Sequence, residues 1–166
     1  MTTILNRRNL IAAGGAMLAT SVATGASGLL LPARAEGLAP TPSMPGGNNY
    51  YLKGAPIVDR IGKAGGFWMS GTVRRAGDGA PLAGQRIQIW AHTPEGQESE
   101  PHMHGATLTD KDGKFRLEMP QIIPIFGQPH GHLAYDSGEF KTVFLRPLLK
   151  SVKDTSLEAH FVLQPA

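Results

Sequence analysis

From residue 67 onward the chain is a succession of short strand-like runs cut by turn signals, and no stretch carries an apolar period of 3.6 over three turns. Residues 67–73 form one run, with Gly71 inside it, and Gly77-Asp78-Gly79-Ala80-Pro81 ends it. Residues 85–91 alternate cleanly, with Ile87, Ile89 and Ala91 on one side and Arg86, Gln88 and Trp90 on the other. Residues 107–110 lead into the turn Asp110-Lys111-Asp112-Gly113, and residues 114–119 follow with Phe115 and Leu117 on one face. Residues 130–135, 139–145 and 157–163 complete about seven strands. That pattern predicts an all-β fold, an antiparallel β-sandwich whose two inner faces supply the core. There is no cysteine, so burial of that core must stabilise the domain without a covalent staple.

The first 35 residues read as an export signal. Asn6-Arg7-Arg8-Asn9 precedes a mildly apolar stretch rich in Ala and Gly, which closes on Leu29-Leu30-Leu31-Pro32 and Ala33-Arg34-Ala35. A positive head, an apolar middle and a small-residue cleavage site are the parts of a secretory signal. The adjacent arginines, weak hydrophobicity and Arg34 near the cleavage site resemble a twin-arginine signal. The expectation is a periplasmic or secreted protein, passed by the twin-arginine translocase and cleaved after Ala35, with no stable membrane anchor, because glycines at 14, 15, 25 and 28 make a poor permanent span. Residues 36–50 read as a Pro/Gly-rich linker and residues 51–166 as the sandwich. Removing Arg7, Arg8 and Arg34 from the 16 basic residues leaves as many bases as the 13 acids, so the mature chain is formally neutral and carries no electrostatic case for nucleic acid.

Two longer connections, 92–104 and 120–129, exceed hairpin length, and long loops on a rigid sandwich are the usual home of function. Four of the six histidines stand at their ends as two His-x-His pairs, His102 with His104 and His130 with His132. On an extended strand residues i and i+2 share a face, so both rings of a pair can reach one ion. Imidazole suits iron, copper, zinc and nickel, and a mononuclear metal ion is the cofactor these pairs imply. For the remaining two, His92 follows the second strand and is read as ligand, supporting donor or solvated side chain, whereas His160 is read as a surface position. Trp90 and Phe126 are read either as a stacking platform for an aromatic ligand or as core.

The run Tyr51-Leu52-Lys53-Gly54-Ala55-Pro56, then Ser70-Gly71-Thr72-Val73, Pro81-Leu82-Ala83-Gly84, Ile87-x-Ile89-Trp90-Ala91, Thr109-Asp110-Lys111-Asp112-Gly113-Lys114-Phe115 and Pro129-His130-Gly131-His132 resembles the intradiol ring-cleavage dioxygenases, in that order. The Pro-Leu-Ala-Gly and Thr-Asp pieces are shared with transthyretin-like sandwiches. The resemblance implies a β-sandwich, a non-haem iron centre and O₂-dependent cleavage of a small catechol-like aromatic. That family holds ferric iron with two histidines and two tyrosines. The histidines map onto His130 and His132, whereas the first tyrosine position is Glu98 and the second falls in Ile123-Pro124-Ile125-Phe126. The family's arginine falls on Gly127 or Gln128, and a segment commonly Phe-Arg-Gly reads Met103-His104-Gly105. Two phenolates stabilise Fe(III), and their replacement favours a lower-valent or softer ion. The ligand set expected is therefore His130 and His132 with His104, His102 or Glu98 in place of the phenolates, Glu98 being also the one nearby basic group. Iron follows from the resemblance. Copper is the alternative, which a set of four histidines beside Met103 would favour. Two further readings remain, a periplasmic copper-binding protein without turnover and a sandwich serving as a binding module without metal.

Overall fold

The computed structural model describes residues 37–166, so the expected export signal lies outside the described residues. Seven strands form it: β1 (Phe67–Arg75), β2 (Arg86–Ala91), β3 (His104–Leu108), β4 (Lys114–Met119), β5 (Gly131–Tyr135), β6 (Val143–Leu145) and β7 (Ser156–Leu163). They make two sheets, one in the order β4-β1-β7 and the other in the order β3-β2-β5-β6. This is the all-β sandwich expected from the strand pattern, and all pairings are antiparallel except that of β1 with β7.

Period-two alternation builds the core. Phe67, Met69 and Val73 of β1, Phe115, Leu117 and Met119 of β4, and Phe161 and Leu163 of β7 face Ile87, Ile89, Leu133, Tyr135 and Leu145 of the second sheet. Each such side chain taken out of water contributes roughly 1.5–3 kcal/mol, which is what the chain has in place of disulfides. Gly71 leaves room for β7, since a Cβ there would fall 1.6 Å from the carbonyl oxygen of Ala159.

Two strands differ from their sequence expectations. β3 begins at His104, earlier than the expected 107, because a strand buried on both faces has no polar alternation to reveal it, and His104-Gly105-Ala106 are weak strand formers. β6 covers only 143–145, because Phe140 and Lys141 turn away to pair with Pro165 and Gln164.

Residues 38–61, the first part of which was expected to be linker, run along the sandwich and bond to all four edge strands. Thr41 N–H donates to Val162 of β7, Met44 to Phe144 of β6, Val58 to Ala106 of β3 and Ile61 to Glu118 of β4, at 2.8–3.0 Å. Unpaired strand edges invite association with other chains, and one segment covers all four here. Between its contacts with β6 and β3 the same segment crosses the outer face of the four-stranded sheet. For that reason β2 and β5 are buried on both faces, and a second layer of packed polar side chains exists there.

Candidate metal centre

The outer face of the second sheet is organised by register. Trp90 of β2 is paired with His104 of β3 on one side and His132 of β5 on the other. The three rings stack in a row, with the indole 5.4 Å from the His104 ring and 5.1 Å from the His132 ring, both at 10°. Trp90 Nε1 donates to the Asn49 carbonyl of the covering segment at 2.9 Å. The two histidines are therefore two strand spacings apart, ~9–10 Å between backbones, with an indole between them. One ion cannot take both rings.

The group that does converge is Glu98, His130 and His132. One donor atom from each lies within 4.8 Å of the others, and all three residues are buried. Glu98 Oε2 is 3.3 Å from Nε2 of His130 and 3.3 Å from Nε2 of His132. His130 stands just before β5 and His132 within it, and their i, i+2 spacing aims both imidazoles to one side while the 92–103 loop folds back to deliver the carboxylate.

Hydrogen bonds fix which nitrogens face inward. Nδ1 of His132 donates to the Gly47 carbonyl at 3.1 Å, and Nδ1 of His130 donates to the Gln128 carbonyl at 2.9 Å; the Arg146 guanidinium stands 3.3 Å from that nitrogen but has donors only, and makes no bond to an Nδ1 that carries its proton. With their protons on Nδ1, both rings turn an Nε2 lone pair toward a carboxylate oxygen, and three acceptors meet without a donor among them. Glu98 Oε2 and His132 Nε2 are correspondingly two of the three buried side-chain atoms that lack a hydrogen-bond partner among the described residues. A cation reconciles such a cluster. The 3.3 Å separations are those of neighbouring donors on an ion with bonds of ~2.1 Å, and two imidazoles with a carboxylate form a known divalent-metal set. The residues present fit a metal.

In the metal-free protein, with protons on Nε2 of His130 and His132 in place of an ion, burial pushes the Glu98 carboxyl up, but the hydrogen bonds and charge of the two rings outweigh it and hold it down at about 2. Glu98 is thus an anion throughout the neutral range. The third unpartnered atom is Nδ1 of His92. His92 lies one residue past the last β2–β5 pair, Ala91 with Gly131, and its carbonyl accepts from Ile123.

The other histidines lie elsewhere. His104 is buried beyond Trp90, and its Nε2 is 2.8 Å from the main-chain carbonyl of Glu98. His102 sits in a single 3-10 turn, Pro101–Met103, on the surface, beside the Glu95 carbonyl and the Glu100 carboxylate. Met103 points into the core, where its sulfur accepts from Thr93. His160 is exposed against Thr72, and Asp110 closes its turn by accepting from the N–H groups of Asp112 and Lys114. Sequence reasoning did not single out Gly47 or Arg146, and it named Gln128 only as a place where the resembled family's arginine falls. Gly47 and Gln128 act through carbonyls, which leave no trace in side-chain identity.

The fold is shared with intradiol dioxygenases of known structure. Hydroxyquinol 1,2-dioxygenase from Pseudomonas putida DLL-E4 matches 78% of this chain and 68% of its own length at 13% identity, with a TM-score of 0.58. The dioxygenase domain of a dioxygenase carbohydrate-binding protein fusion from Streptomyces sp. SirexAA-E matches over 77% of this chain and 100% of that one, at 18% identity and a TM-score of 0.58. Chlorocatechol 1,2-dioxygenase from Pseudomonas putida matches over 79% and 74%, at 19% identity and 0.52. No protein-family model and no curated protein sequence matches the chain. At these identities the likeness defines the architecture, an intradiol dioxygenase-like β-sandwich.

Proposed function

We propose that this chain is an exported, metal-dependent oxygenase acting on a small catechol-like aromatic, with one metal ion held by Glu98, His130 and His132. The observation that carries the reading is the convergence of three buried acceptors, two of them set by their tautomers to face a carboxylate, on an intradiol dioxygenase-like sandwich. A bound redox metal with open positions would supply activation of O₂ and of a chelating diol. Iron is the metal that the family resemblance implies.

The protein's own residues do the rest. His130 and His132 are held as neutral donors by the carbonyls of Gln128 and Gly47. Glu98 replaces the phenolates of the resembled family as the anionic donor and is also the basic group nearest the centre. Trp90 and the Gly47 carbonyl of the covering segment pack on His132, and all three groups are buried, so the centre is held away from bulk water. Export through the twin-arginine route, which resembles a path for proteins already folded around a cofactor, fits a centre loaded before translocation.

The test is elemental analysis of protein purified from the periplasm without added metal, beside the H130A/H132A double variant, followed by O₂-electrode assays with catechols. Stoichiometric iron, absent from the variant, together with catechol-dependent O₂ uptake supports the proposal. Stoichiometric copper without O₂ uptake replaces it with copper binding, and metal-free protein in both cases removes the centre.

A further inference from the structure

The outer face of the second sheet holds a directional chain of hydrogen bonds that ends on the loop carrying Glu98. Arginine has donors and no acceptor, so the 3.5 Å contact of Arg86 with Gln88 turns the amide oxygen of Gln88 toward Arg86. The Gln88 Nε2 group then faces the Leu52 carbonyl at 2.8 Å and Nδ1 of His104 at 3.4 Å, and has a hydrogen for each. His104 must accept at Nδ1 and carry its proton on Nε2, which donates to the Glu98 carbonyl at 2.8 Å. Both ring nitrogens are spent, and neither lone pair is left for an ion. Gln88 is fully buried and His104 is 3% exposed, so water does not replace these partners. Within the 92–103 loop the backbone bonds join Thr93 with Gly96, Gln97 with Glu100 and Glu100 with Met103. They leave the Glu98 carbonyl to His104.

We infer that His104 is a positioning residue for the metal centre. It places the Glu98 carboxylate through that residue's own main-chain carbonyl, and Gln88 fixes the His104 tautomer that does so. The inference rests on the proposed metal centre, and it assigns His104 a role off the metal.

Two substitutions separate the ring from its proton. Phenylalanine keeps an aromatic ring on Trp90 and removes the donor, whereas glutamine removes the ring and places an amide N–H near the site of Nε2. The experiment titrates Co²⁺ into the metal-free mature protein and into H104F and H104Q, reading the visible d–d spectrum and the dissociation constant. Far-UV circular dichroism in EDTA serves as the fold control. Supporting contacts of this kind typically govern metal affinity by about 10–100-fold. H104Q is expected within about threefold of the unsubstituted protein with the same band pattern, and H104F about 10–100-fold weaker with altered bands. If H104F fails to fold, Q88M takes its place and is expected to weaken Co²⁺ in the same direction. Tight binding by H104F with loss in H104Q would reduce His104 to a stacking role, and equal loss in both would make it a ligand. Either result overturns the inference while leaving a metal centre standing. If H104F and Q88M both bind normally, the positioning role is likewise gone. An unsubstituted protein that takes up no Co²⁺ sinks the metal centre itself, and this inference with it.

Discussion

The indole of Trp90 lies flat against the imidazole of His132, with ring centroids 5.1 Å apart and planes 10° from parallel. The contact follows from register, since the two residues are direct partners across β2 and β5. The ring also fixes how far His132 can swing, with the Gly47 carbonyl holding it from the covering segment. Trp90 is thus a wall of the candidate metal centre and not a part of the inner core, which packs on the opposite face of the sheet.

Truncation of that wall should be costly in two ways. W90A is expected to lose about 3–5 kcal/mol in denaturant unfolding, the usual range for a buried Trp cut to Ala. W90F should lose less, since a ring remains between the histidines and mainly the Nε1 bond to Asn49 is gone. Unfolding that is no more costly for W90A than for a surface substitution would contradict the layer described.

Metal should stabilise the fold by linkage. At a hundredfold excess over its dissociation constant, a metal that binds only the native state adds about 2.7 kcal/mol. Thermal unfolding of the unsubstituted protein should rise with added metal and fall with chelator. E98A, H130A and H132A should each be nearly indifferent to both, while H102A, whose ring is on the surface, should respond like the unsubstituted protein.

The Glu98 carboxyl makes the metal-free protein acid-sensitive in a defined window. Its folded value, about 2, is depressed from an ordinary 4.5. The stabilisation it contributes is therefore complete above about pH 4.5 and is lost as pH falls toward 2, on the order of 3 kcal/mol in all. In E98Q that part of the stability-versus-pH curve should flatten. Parallel curves for the two proteins between pH 2 and 4.5, measured by urea unfolding, would show the carboxylate to be unpaired.

Alternation in 85–91 made the sandwich legible, because Ile87 and Ile89 show the core side and Trp90 the other. The His130/His132 pair was equally readable, since i, i+2 geometry survives any sandwich topology. The choice between Glu98 and His104 was not. Both belong to one long connection, Glu98 at its middle and His104 at its end, and the decision lies in strand pairing: β3 starts at His104 and carries it to the far side of Trp90, whereas Glu98 stays in the loop that folds over β5. The covering segment was hidden for a different reason. Its bonds to Trp90, Gln88 and His132 run from its own carbonyls, and Pro/Gly-rich composition reports flexibility in isolation, not docking.

Two glycines that look alike in sequence, each inside a strand and each against the core, should behave differently. At Gly71 an added Cβ meets the Ala159 carbonyl at 1.6 Å, a backbone atom of β7 that can move only by breaking the parallel pairing of β1 with β7. At Gly131 it meets Cε of Met69 at 2.8 Å, the free end of a flexible side chain. G71A is expected to cost more than about 3 kcal/mol or to prevent folding, whereas G131A should cost about 1–2 kcal/mol as Met69 changes rotamer. Because Gly131 faces the core between His130 and His132, G131A should also keep any metal response the unsubstituted protein shows in thermal unfolding. If G131A folds but no longer responds to metal, the two faces of β5 are coupled through the backbone more tightly than separate layers allow.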